Sequence, residues 1–164
     1  MSALTFIILK RKHKMKNFAI AALIIAATST AMAAPTVIVE GGRTYAGTDR
    51  NVGRVGVSTG TVLGLTAQAD YTRSFNDRSE KEAAALILRK DLVKVGAVTV
   101  DAFAGGQFAR TDRAAGLGAV YGIGARLPLT TKLDVTADFR QVRGQDRIQA
   151  VDGNTVAAGI SYKF

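Results

Sequence analysis

The feature that most restricts the folds open to this chain is a period of two that returns along most of its length. At the end, Val156, Ala158, Ile160, Tyr162 and Phe164 are apolar, and the residues between them (Ala157, Gly159, Ser161, Lys163) are small or polar. Between 132 and 140, Leu133, Val135, Ala137 and Phe139 alternate with Asp134, Thr136, Asp138 and Arg140. Leu63, Leu65, Ala67, Ala69 and Tyr71 alternate in the same way with Gly64, Thr66, Gln68, Asp70 and Thr72. Successive side chains of a strand point to opposite faces, so each segment reads as a strand with one apolar and one polar side. Chain ends fray unless they are tied down. A large aromatic at the last position therefore needs a surface to rest on, and two surfaces qualify: a protein core or hydrocarbon.

Extending the pattern predicts eight strands, at about 36–46, 52–59, 62–75, 83–95, 97–110, 117–127, 132–143 and 154–164. Their connections alternate in character. "NDRSEKE" (76–82), "TDRAAG" (111–116) and "GQDRIQAVDGN" (144–154) are charged, whereas "STGT" (58–61), "VG" (95–96) and "LPLTTK" (127–132) are short. Four successive hairpins, with segments near the ~9–11 residues that a tilted strand needs to cross a bilayer, predict a closed antiparallel transmembrane barrel. Both chain ends then lie at the periplasmic side, with Tyr162 and Phe164 at that interface. Tyr45, Tyr71, Phe75 and Phe108 fall near the other ends of their strands and complete an aromatic girdle. A soluble sandwich would also alternate. The segment "SEKEAAALILRKDLVKV" (79–95) has a helical alternative, with Ser79 as cap and Ala85, Leu88, Leu92 and Val95 at helical spacing. The strand is preferred, because a helix leaves seven strands and an open edge in lipid. Lys90 is then a misfit on the outer face, to be displaced by a bulge. Arg43 is a second misfit, for which Gly41-Gly42 offers a register change.

The start of the chain reads as a secretory signal for Sec-type export. Lys10, Arg11, Lys12, Lys14 and Lys16 precede an apolar run from Phe18 to Ala27, followed by the small-residue triplet Ala31-Met32-Ala33. Cleavage is expected between Ala33 and Ala34, and Met15 is a candidate start. Residues 34–164 then form a single domain, in which the signal's five cations no longer count: 17 basic residues face 13 acidic ones, a net +4. That balance is poor support for a nucleic-acid partner. The chain has no cysteine, so no disulfide contributes.

The hairpin "GLGAVYGIGARLPLTTKLDVTADFR" resembles those of the small eight-stranded outer-membrane barrels of the OmpA transmembrane-domain and OmpX type. "GISYKF", with Gly159, Tyr162 and Phe164, is similar to the C-terminal signal read by the barrel-assembly machinery. "VGVSTGTVLGLTAQADYTRSFND" is similar to the YfaZ group of small envelope proteins. The resemblance implies a Gram-negative outer membrane, contact with its lipid and lipopolysaccharide, and a monomer. It leaves no segment for a peptidoglycan-binding domain.

Parity places Glu40, Arg54, Asp70, Arg89, Asp91, Asp101, Arg126, Asp134, Asp138 and Arg140 on the inner face, with Lys163. An eight-stranded barrel is only wide enough for its own side chains, and charges in so narrow a space must pair. A salt-bridged plug is expected rather than a wide channel. An enzyme is not expected: His13, in the signal, is the chain's single histidine, so the mature chain lacks the usual general base. Asp134 and Asp138 are four residues apart on one strand, ~13 Å by strand rise, and suit pairing with arginine better than hydrolysis. No cofactor and no metal site is expected, since "DGN" (152–154) is too short for a calcium loop. The function classes left are a structural envelope protein, a surface-interaction barrel acting through its loops, and a narrow pore.

Overall fold

The computed structural model describes residues 34–45, 50–60, 65–75, 81–111, 115–144 and 153–164. The expected signal, with Ala33 and Met15, lies outside them, as does most of the charged loop expected at 144–154. Eight strands follow in chain order: β1 (Thr36–Tyr45), β2 (Arg50–Gly60), β3 (Thr66–Phe75), β4 (Lys81–Val95), β5 (Val98–Thr111), β6 (Ala115–Pro128), β7 (Leu133–Gly144) and β8 (Gly153–Lys163). Each is antiparallel to the next, and β1 also pairs with β8 from Thr36↔Lys163 to Tyr45↔Asn154, so the sheet closes on itself. The end that carries both termini is called the lower end below.

The segment with two readings, 81–95, is a strand. Its apolar residues serve both faces. Leu86 and Leu88 point outward, while Ala85, Ile87 and Arg89 are buried inside. It pairs with β3 from Glu82 to Arg89 and with β5 from Lys81 to Val95, whereas a helix here would leave both neighbours with unpaired edges.

The expected register change at Gly41-Gly42 does not occur. β1 pairs without interruption through both glycines on both sides, and Arg43 points outward. The bulge expected in β4 does exist, but below Lys90. The register shifts between Asp91 and Val93, which makes Leu92 the extra residue, and Lys90 stays on the outer face opposite Ala102. Two turns also move. β2 runs on to Gly60, so the connection expected at 58–61 lies beyond it. The β4–β5 turn is Gly96-Ala97, with Gly96 at φ 60, a left-handed conformation that costs glycine nothing.

Stagger follows from the register. Cα partners traced once around the wall from Val93 pass through Val100, Ala125, Ala137, Ala158, Gly41, Gly53 and Arg73, and return to β4 at Glu82. From 93 to 82 is eleven residues; without bulged Leu92 the stagger is ten. Such a shear tilts the strands, within the ~35–45° range of closed barrels. At the lower end Phe164 N–H donates to Pro35 O (3.2 Å) and Lys163 N–H to Lys132 O (2.8 Å). The last residue is thereby tied down.

Candidate functional site: a charged lumen inside an apolar wall

Parity on all eight strands turns charged side chains to the inner face. Arg54 Nη1 donates to Glu40 Oε2 at 2.6 Å and to Asp138 Oδ2 at 3.0 Å. Arg89 Nη2 donates to both oxygens of Asp138, each at 2.6 Å, and Arg89 Nη1 stands 3.3 Å from Asp101 Oδ1. Arg126 Nε lies 3.4 Å from Asp101 Oδ2, and its Nη2 pairs with Asp91. Signs alternate along this relay: Glu40, Arg54, Asp138, Arg89, Asp101, Arg126, Asp91. Asp101, fully buried at 0% exposure, is held at ion-pair distance on both sides.

Two smaller groups flank the relay. Arg140 donates twice to Asp70, at 3.0 and 2.8 Å, and Gln68 Nε2 donates to the same carboxylate at 3.1 Å. Lys163 Nζ donates to Asp134 Oδ1 at 3.0 Å. Thr136 Oγ1 donates to Glu40 Oε1 at 2.8 Å, which uses the carboxylate oxygen that Arg54 leaves. Mutual attraction repays desolvation of buried charges only when further hydrogen bonds satisfy the remaining lone pairs, as Thr136 does for Glu40 and Gln68 for Asp70. Asp101 is held by ion-pair contacts without such a bond.

The backbone makes room for these arginines. A Cβ at Gly124 would stand 2.7 Å from Asp138 Oδ1 and 2.9 Å from Asp101 Oδ1, so a side chain there would collide with the middle of the relay. Phe103 fills the space between two guanidiniums, with Arg89 Cζ 4.6 Å and Arg140 Cζ 5.5 Å from its ring centre.

The structure brings together all but one of the expected lumen charges. Asp91 is the correction: its side chain is 60% exposed, at the lower mouth, where Arg126 reaches out to it. Among the described residues, β4 runs on past this point paired with β5 alone. Sequence reasoning missed the apolar part of the lumen. Ala85, Ile87, Phe103, Ala109, Val120 and Val142 form a buried cluster inside the wall. Their inward parity was the available signal, since each shares it with a charged residue of its own strand.

The outer wall is the reverse of the inside. Val39, Val55, Leu86, Leu88, Ile123, Phe139, Val156 and Ile160, on six of the strands, lie between 44% and 60% exposed; exposed Phe108 adds β5 and half-buried Tyr71 adds β3. Tyr162 and Phe164 are exposed at the lower end, in an edge-to-face pair with centres 5.2 Å apart. Tyr45 and Phe108 are exposed toward the upper end, and Tyr71 is half-buried further down. The Phe75 side chain is outside what is described. Arg43, Arg73, Arg110 and Arg143 also point outward, near the upper ends of β1, β3, β5 and β7. Arg43 Cζ sits 5.9 Å over the Tyr45 ring.

Neither a family model nor a curated protein matches the chain. Solved structures do. The N-terminal β-barrel domain of Pseudomonas aeruginosa OprF is similar with a TM-score of 0.67 and 13% identity, over 81% of this chain and 98% of that domain. Neisserial surface protein A is similar with a TM-score of 0.61 and 15% identity, over 79% and 96%. Ail, the attachment invasion locus protein of Yersinia pestis, is similar with a TM-score of 0.55 and 9% identity, over 80% and 97%. At such identities the likeness is one of architecture, which carries no activity with it. The fold is that of the small eight-stranded transmembrane barrels of the OmpA/OmpX type.

Proposed function

We propose that the protein is an integral outer-membrane barrel with a closed lumen and a structural role in the envelope, and that it performs no catalysis. The observation that carries this reading is the inverted polarity of the molecule. Arg54, Asp138 and Arg140 are 2–3% exposed inside, while Leu86 on the wall is 60% exposed. In water, a continuous apolar belt of this kind is an aggregation liability. In hydrocarbon it is the stable arrangement, because closure pairs the backbone and the charges are shielded within.

Export through the signal at 1–33, cleavage at Ala33-Ala34 and recognition of "GISYKF" by the assembly machinery belong to the same proposal. So does kinship with the YfaZ group, which rests on sequence resemblance. The upper end is read as extracellular. There the outward arginines 43, 73, 110 and 143 lie at the level of lipid headgroups and suit the phosphates of lipopolysaccharide, since guanidinium forks match phosphate oxygens.

Membrane fractionation tests the reading. The processed chain should stay with the outer membrane through carbonate and urea washes, and should migrate differently in gels before and after boiling. A processed chain that is freely soluble and monomeric without detergent would falsify it.

A further inference from the structure

A groove of about 390 Å³ is cut into the outer wall over β2 to β5. Its floor is Ala67, Ala69 and Ala104, with Val57, Leu86 and Leu88 as its sides. At its foot stands Lys90. This lysine is exposed and shares the outer face with Leu88, the next outward residue up the strand; Ala102 lies opposite on β5. Among the described residues it makes no ion pair. The bulge leaves it where the alternation put it.

Its level follows from the stagger. With strands tilted by roughly 40°, each residue climbs about 2.5 Å along the barrel axis, and each step to the next strand about 3 Å. Traced around the wall, Lys90 is level with Val37 and Ser161, about one residue's climb above Tyr162. The groove extends upward from there. The lysine is thus at the lower interface, within snorkelling reach of headgroups, and the groove is in the adjoining hydrocarbon.

We infer that this wall is a binding site for one anionic phospholipid of the lower leaflet. The Lys90 ammonium takes the headgroup phosphate, and one acyl chain lies along the alanine floor between Val57 and Leu86. The inference rests on the membrane reading above. A phosphate bearing no amine of its own is favoured, because a lipid ammonium would add a second cation beside Lys90. A second copy of the chain fits the groove less well. A two-fold contact centred there would bring the two Lys90 side chains toward each other with no carboxylate on that face between them.

The test is native mass spectrometry of the folded barrel, released from nanodiscs of phosphatidylcholine and phosphatidylglycerol in equal amounts. Wild type should retain one phosphatidylglycerol in preference to phosphatidylcholine. Lys90→Ala should lower that preference about fivefold, the contribution of one interfacial lysine, and Lys90→Arg should keep it. Ala67→Leu with Ala104→Leu should abolish retention while Lys90 remains. All variants should keep the boiling-dependent gel shift. A barrel that inserts but retains the two lipids equally, or is indifferent to Lys90→Ala, overturns the lipid site alone. So does a barrel that cross-links to a second copy through the groove. A chain that does not insert overturns the membrane reading, and this site with it.

Discussion

Asp138 accepts from Arg54 and Arg89 together, and so joins the two halves of the charged relay. Asp138→Ala leaves two buried guanidiniums short of a carboxylate. Breaking a buried pair in this way costs about 3–5 kcal/mol, and the loss should appear as a lower urea midpoint of the folded barrel in detergent, followed by circular dichroism. The Asp70–Arg140 pair separates partner loss from pair loss. Asp70→Ala alone should destabilise by a similar amount, whereas Asp70→Leu with Arg140→Met should come close to wild type, because no orphan charge remains. At this scale the inward charges could be read from parity, residue by residue. Their partners could not. Nothing local in the sequence pairs Arg54 with a carboxylate 84 positions away, or gives Phe103 two arginines to separate.

β4 shows how an element resolves a conflict that its own residues leave open. Read alone, Ala85, Leu88, Leu92 and Val95 suit a helix; in the sheet, both faces of 81–95 find the surroundings they need. Local preference gives way to closure, since only a strand satisfies the edges of β3 and β5. The bulge makes a specific expectation possible. Deletion of Leu92 removes the extra residue and keeps every inward residue inward, so this variant should fold and show the boiling-dependent shift. Deletion of Leu88 would turn Arg89 onto the apolar wall and take it from Asp138, and should sharply lower the yield of folded barrel. At the turn below, Gly96→Val forces a β-branched side chain into the left-handed region and should cost about 1–2 kcal/mol in the same urea measurement.

At the scale of the whole molecule, ion pairs and the Phe103 ring occupy the cross-section, and the apolar cluster around Val120 adds to the filling. Wild type should therefore give no steady conductance in planar bilayers, and a stable, ion-carrying open state would contradict the closed-lumen proposal. The two surfaces of the cylinder also divide the labour. Interior charges bind to one another, while Arg43, Arg73, Arg110, Arg143 and Lys90 are carried on the outer surface. Removing Phe164 should impair membrane assembly more than the stability of the refolded barrel, because its backbone contributes one hydrogen bond to Pro35 and its ring lies outside the packed lumen.

From the sequence alone came the number of strands, the face each residue takes and the outward aromatic at the last position. All three follow from side-chain direction, which reverses at every residue and needs no knowledge of neighbours. The tertiary structure decided the rest: the place of the bulge, the uninterrupted register at Gly41-Gly42, the exposure of Asp91 and the identity of each ion pair. Those depend on the stagger between strands, a property of the closed ring. A short turn such as Gly96-Ala97 fixes the register of its own hairpin, but the stagger of the ring is complete only with the β1–β8 pairing.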